Sequence, residues 1–298
     1  MLHAILIDYI IEPFSYGFMT RALVTSMAAA LVCALLSCWL ILVGWSLMGD
    51  AVSHAVLPGV VLAYILGIPF AIGAFISGAL SVALIGIVKQ KTRIREDAAI
   101  GIVFTIFFAT GLLLVSITPS HVDLTHIIFG NILGVLTKDM IQVIILSLAV
   151  ATVLILLRKD LILNAFDPVH TFAVGLSPKR LNAFLLGALA VTTVVALQVV
   201  GVILVVALLI IPGATARLLT DRFGRMLVIA PVFSIACTFI GILVSYHKDV
   251  ASGAMIVIVH GIGFCIAWLL SPRVGLYRIM KNRSLARKRM RETVSATS

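Results

Sequence analysis

No G-x-x-x-x-G-K-[ST] phosphate loop occurs anywhere in the 298 residues, so any nucleotide-driven step would need a site on another polypeptide. H-E-x-x-H is absent and no serine sits in a G-x-S-x-G elbow, which leaves a hydrolase little support. The four cysteines, Cys33, Cys38, Cys237 and Cys265, stand singly in apolar runs with no C-x-x-C. They read as small buried hydrophobes rather than as disulfide partners or thiolate ligands. Charge is scarce, with Asp, Glu, Lys and Arg together at 11%. The N-terminus lacks a basic region followed by a cleavage site, so no removable signal peptide is expected.

What the chain has instead is apolar sequence, at 62% hydrophobic residues and a mean hydropathy of +1.21. A soluble domain of this size cannot hide that much apolar surface, so the fold class is an all-α polytopic membrane protein. The net charge of +10 falls in short clusters between apolar spans. That is the signature of cytoplasmic loops rather than of a nucleic-acid surface.

Apolar runs follow one another along the chain. Residues 1–14 hold Asp8 and Glu12, end near Pro13 and are too short to cross; an interfacial segment is expected. A membrane-embedded region of 15–272 follows, with runs at 17–46, 51–67, 69–88, 97–117, 139–157, 181–197, 199–219, 226–246 and 251–270. Residues 118–137 look too polar for a span and read as an outer loop with a partial helix. Residues 273–298 form a basic tail. With the clusters at 89–95, 158–159, 179–180, 217–225 and 273–291 on the cytoplasmic side, nine crossings alternate consistently. The count becomes eight if 51–67 is re-entrant.

Chemistry is concentrated in a few places. Asp50 and His54 lie four residues apart within Gly49–Gly59, on one face if that stretch is helical. Ionisable groups at membrane depth are costly and normally face a protein interior or a watery path, and a divalent metal would bind such a pair. The alternative is that Asp50 caps the next helix and His54 is a packed histidine. His121, Asp123 and His126 are either solvated loop groups or a receiving point for metal on the outer side, and His247 with Asp249 has a similar location. Gly130 and Gly134 make a small-xxx-small face for close helix approach. Pro212-Gly213, inside an apolar run, predicts a kink that is either a hinge or a static packing feature. His260, alone in the last run, reads as a packed histidine.

Between two basic clusters lies a cytoplasmic insert, residues 164–176. Asp167 suits an N-cap, Pro168 the first helical position and Gly175 the stop. The result is a two-turn helix exposing Phe166, Val169, Phe172 and Ala173, which either docks in a groove on a soluble partner or lies on the bilayer.

Taken together, these stretches resemble the membrane permease of the zinc/manganese/iron-type ATP-binding-cassette importers. The matching segments are Leu47–Gly59, Arg95–Gly101, Phe129–Gly134, Asp167-Pro168…Gly175, Val200–Ala216 and Ser245-Tyr246…Ser252-Gly253. Phe129–Gly134 and Gly44–Met48 lean toward the manganese/iron branch. The resemblance implies a bacterial plasma-membrane permease that carries Mn²⁺ or Fe²⁺, with Zn²⁺ as an alternative, and holds no permanent cofactor. It implies a second copy of the chain, two cytoplasmic ATPase subunits and an external metal-binding protein as partners. Asp50 and His54 would lie on the translocation path, and Asp167–Gly175 would be the coupling helix. Many relatives carry arginines just before Gly49, where this chain has Gly44-Trp45-Ser46. An ATPase-independent carrier or channel for divalent cations is the competing function.

Overall fold

The computed structural model describes residues 12–118 and 132–271. Among them there is no strand, and eleven helices carry the fold. Helix α1 is Gly17–Val43, α2 Ser46–Ala55, α3 Leu57–Leu66, α4 Phe70–Lys91, α5 Glu96–Ile117 and α6 Thr137–Leu156. Two short helices follow, α7 Arg158–Phe166 and α8 Pro168–Ala173, then α9 Pro178–Leu219, α10 Phe223–Lys248 and α11 Ser252–Leu270.

Eight segments of these helices are long and apolar enough to cross a bilayer, and the shorter apolar stretch Ile72–Val88 lies inside α4. All nine expected runs are therefore helical. The run expected at 51–67 starts earlier: α2 and α3 join at Val56 into one candidate span, Leu47–Leu66. Residues 1–11 of the interfacial segment expected at 1–14, the loop residues His121, Asp123, His126 and Gly130, and the tail from 272 lie outside the described residues, and the end of that segment enters the 3₁₀ turn Glu12–Ser15.

Local sequence explains most ends. Helix α1 stops at Gly44, whose φ of 84° is the left-handed C-terminal conformation, with its N–H bonded to the Leu40 carbonyl. Helix α3 stops the same way at Gly67, with Pro69 starting α4. Asp249, at φ 51°, ends α10, and the Ser245 hydroxyl donates to the Val250 carbonyl at 2.6 Å to close the turn into α11.

Helix α1 sits at the centre and packs on α9, α10 and α6. Its inward residues are small, with Ala22, Ala29, Ala30 and Ala34 fully buried. In a membrane there is little hydrophobic drive between helices, so close backbone approach through small residues carries the packing. Trp39 fills the larger gap against Phe223, ring centres 4.4 Å apart.

Two features of the helix packing add to the sequence reading. The close glycine crossing is Gly59 on α3 against Gly73 on α4, where any Cβ would collide with the opposing backbone. Gly134, by contrast, lies in the short 3₁₀ turn Ile132–Gly134. The second concerns α9. Its non-helical residue is Gly201, at φ 78° and ψ 166°, a region only glycine enters readily. Pro212 keeps helical φ/ψ, and beside it the Ser37 hydroxyl accepts from the Gly213 N–H at 2.9 Å and donates to the Ile210 carbonyl at 3.3 Å. Ser37 thus ties α1 to α9 on either side of the proline, and the non-helical break lies eleven residues earlier.

Candidate functional site

Asp50 and His54 share one face of α2, as the four-residue spacing requires. His54 Nε2 lies 3.4 Å from Asp50 Oδ1, and the two side chains are 28% and 39% exposed. Asp50 is interior to the helix and Trp45 takes the N-cap position, so the capping role is excluded by geometry. Among the described residues no third His, Cys, Asp or Glu joins the pair to make a metal-sized cluster. One chain thus presents one carboxylate and one imidazole.

The backbone beneath the pair is held rigidly. Ser53 is buried and its hydroxyl donates to the Gly49 carbonyl at 2.7 Å. A Cβ on Gly49 would come within 3.1 Å of Leu209, so the glycine lets α2 lie close against α9.

The imidazole is held from a second helix. Phe104 and Phe108 of α5 meet the His54 ring at centroid distances of 5.2 Å each, with interplanar angles of 65° and 82°. Such edge-to-face contacts fix a ring orientation. The phenylalanines stack on one another at 5.9 Å. Sequence reading missed them. Their four-residue spacing marks a shared helical face, but nothing local says that this face meets His54.

Beside the pair lies a small apolar cavity of about 60 Å³. His54 and Ser53 line it from α2 and Phe108 from α5, while Leu197 and Val202 close it from either side of the Gly201 break. The break in α9 and the His54 imidazole in α2 therefore border the same space.

His260 is fully buried, with one ring nitrogen 2.9 Å from the Ile256 carbonyl and the other 3.2 Å from the Ser234 hydroxyl. The first bond lies within α11 and the second ties α11 to α10, so both of its polar atoms are used.

Helix α8 forms as its local signals dictate. The Asp167 carboxylate accepts from the His170 N–H at 2.9 Å, Pro168 opens the helix, and Gly175 at φ 86° ends it. Thr171 is buried and anchors the inner side. Val169 and Phe172 face outward at 79% and 74% exposure, with Phe166 beside them. Residues 158–166, running from the basic cluster into the insert, form α7, which is tied to α9 where Asn164 Nδ2 donates to Asn182 Oδ1 at 2.7 Å.

Comparison with known proteins gives the following. The model of the ABC 3 transport family matches residues 15–271. The chain is 51% identical over 268 residues to the manganese transport system membrane protein MntB of Synechocystis sp., covering 90% of this chain and 88% of the relative. It is 46% identical over 271 residues to the chelated iron transport system membrane protein YfeC of Yersinia pestis, covering 91% and 92%. Among solved structures it superposes on a chain of PsaBC from Streptococcus pneumoniae in complex with Fab, with a TM-score of 0.83 and 35% identity. That match covers 92% of this chain and 99% of the other.

Proposed function

The chain belongs to the ABC 3 transport family, and on that premise we propose that it is the multi-pass inner-membrane permease of an ATP-driven importer of divalent transition metals, Mn²⁺ and Fe²⁺ foremost. The observation that carries this reading is the Asp50–His54 pair, 3.4 Å apart on a membrane-embedded helix and beside a cavity. Relatives named as manganese and chelated-iron transport proteins support the choice of metals.

Oxygen and imidazole donors without a thiolate suit Mn²⁺ and Fe²⁺ and tolerate Zn²⁺. The metal is cargo, so its site must bind weakly enough to release, and two ligands per chain meet that need. A second copy related by a two-fold axis would bring a second Asp50/His54 pair and complete a site of two carboxylates and two imidazoles. Asp50 supplies the negative charge that offsets dehydration of the ion. His54 supplies a neutral nitrogen, oriented by Phe104 and Phe108.

ATP hydrolysis belongs to cytoplasmic ATPase subunits that dock on the apolar face of α8, with Val169 and Phe172 entering a groove of the partner. Asp167, Pro168 and Gly175 hold that helix in shape. On the outer side an external metal-binding protein delivers the ion, and His121, Asp123 and His126 are the proposed receiving groups. The permanent complement of the chain includes no cofactor.

The reading is tested by uptake of radiolabelled Mn²⁺, Fe²⁺ and Zn²⁺ into vesicles holding the permease with and without its ATPase. Accumulation of Mn²⁺ or Fe²⁺ that requires both the ATPase and ATP supports it. Equal uptake without the ATPase would assign the chain to the secondary carriers instead.

A further inference from the structure

A groove of about 480 Å³ runs between α4 and the first half of α9, and neither Asp50 nor His54 lines it. Ala79, Ala83 and Gly86 form one wall, and Ala183, Gly187 and Ala190 the other. Facing small residues on neighbouring membrane helices normally bring the backbones together. The two helices do touch, yet a Cβ added at Gly86 or at Gly187 would meet no atom within 4 Å. The small side chains leave a slot.

Polarity along the slot is graded. Lys179 and Asn182 lie at one end; Phe75 and Ala190 line the other. Eleven residues separate Lys179 from Ala190, about 17 Å along a helix, which matches one leaflet, half of a hydrocarbon core about 30 Å thick. The basic clusters put the Lys179 end at the cytoplasmic face. Lys179 makes no ion pair or hydrogen bond through its side chain among the described residues, and its exposed neighbour Arg180 adds to the positive charge there. Basic pockets between membrane helices on this side take anionic lipid headgroups.

We propose that this groove is a binding site for one anionic phospholipid of the cytoplasmic leaflet, its phosphate on Lys179 and one acyl chain lying between α4 and α9. The Asn164–Asn182 hydrogen bond joins the mouth of the groove to α7, and α7 leads directly into α8. The bound lipid thus braces the segment that presents the docking helix.

The test uses the full chain reconstituted in bilayers of equal phosphatidylglycerol and phosphatidylcholine, transferred to mild detergent, with retained lipid counted by mass spectrometry. The wild-type chain is expected to retain phosphatidylglycerol at least about fivefold over phosphatidylcholine, in keeping with roughly 1 kcal/mol per basic residue near anionic lipid. Lys179→Gln should return that ratio to one, and Arg180→Gln should leave most of it. Gly187→Leu with Ala183→Leu fills the slot and should lower the retained lipid itself. A wild-type ratio of one, or a ratio unchanged in Lys179→Gln, would overturn the proposal. If the leucine variant does not fold, a photoreactive phosphatidylglycerol replaces it on the wild-type chain. Labelling within 79–87 and 183–190 is then expected, and labelling only elsewhere overturns the site.

Discussion

His54 Nε2 and Asp50 Oδ1 are 3.4 Å apart across one turn of α2, with the imidazole wedged against the edges and faces of Phe104 and Phe108 from α5. Two helices thus set the geometry of one carboxylate–imidazole pair. The carboxylate and imidazole come from the sequence spacing, and the ring orientation comes from packing.

The aromatic wall can be tested apart from the ligands. Groups that orient a metal ligand cost about 10- to 100-fold in affinity when removed. Phe104→Ala and Phe108→Ala should therefore weaken metal uptake within that range while the protein still assembles. Leucine at either position fills the space without the ring contact and should fall between alanine and wild type. Uptake kinetics on purified, reconstituted variants would show it; wild-type metal affinity in both alanine variants would contradict the orienting role.

The docking helix predicts a different pattern. Val169→Asp and Phe172→Asp alter an exposed apolar face, so folding should be unaffected. Metal-stimulated ATP hydrolysis by the assembled complex should be lost, whereas metal binding to the permease should be unchanged. Asp167→Ala removes the cap on the His170 N–H, costs about 1 kcal/mol of helix stability, and should weaken ATPase association without abolishing it. Co-purification of the ATPase measures both effects.

Glycine substitutions separate packing from conformation. At Gly59 a side chain would strike the backbone of α4, and overpacking of this kind costs about 1–3 kcal/mol or more. Gly59→Leu should lower the melting temperature of the purified chain and its yield. At Gly201 the obstacle is the backbone itself, with φ 78°. Gly201→Ala should cost about 1–3 kcal/mol and disturb the cavity beside His54. A Gly201→Ala variant with unaltered stability and uptake would show that the break is not required.

The membrane spans were readable because a bilayer imposes length and apolarity on every crossing segment. The short α8 was readable because Asp167, Pro168 and Gly175 carry start and stop signals within a few residues. Helix α7 was missed because Arg158, Lys159 and Asp160 read as loop charge, and its stability comes from burying Leu161 and from the bond between Asn164 and Asn182. Gly59 and Gly73 were missed because a glycine in an apolar run looks the same whether it meets another backbone or open lipid. The partner of the Pro212 region, Ser37 bonded to Ile210 and Gly213, is 175 positions from the proline in the sequence. For the site, Asp50 and His54 were legible as a pair, since helical spacing alone aligns them. Phe104, Phe108 and Gly201 reach the same place only through tertiary packing.

The most direct measurement compares Asp50→Ala and His54→Ala with the wild-type permease, each reconstituted with its ATPase. Radiolabelled Mn²⁺ and Fe²⁺ uptake is recorded alongside assembly by size-exclusion chromatography. Removing a ligand should exceed the roughly 100-fold effect of removing its support, so both variants should assemble normally and lose uptake. Wild-type uptake in both single variants would contradict the assignment of this pair to the metal path.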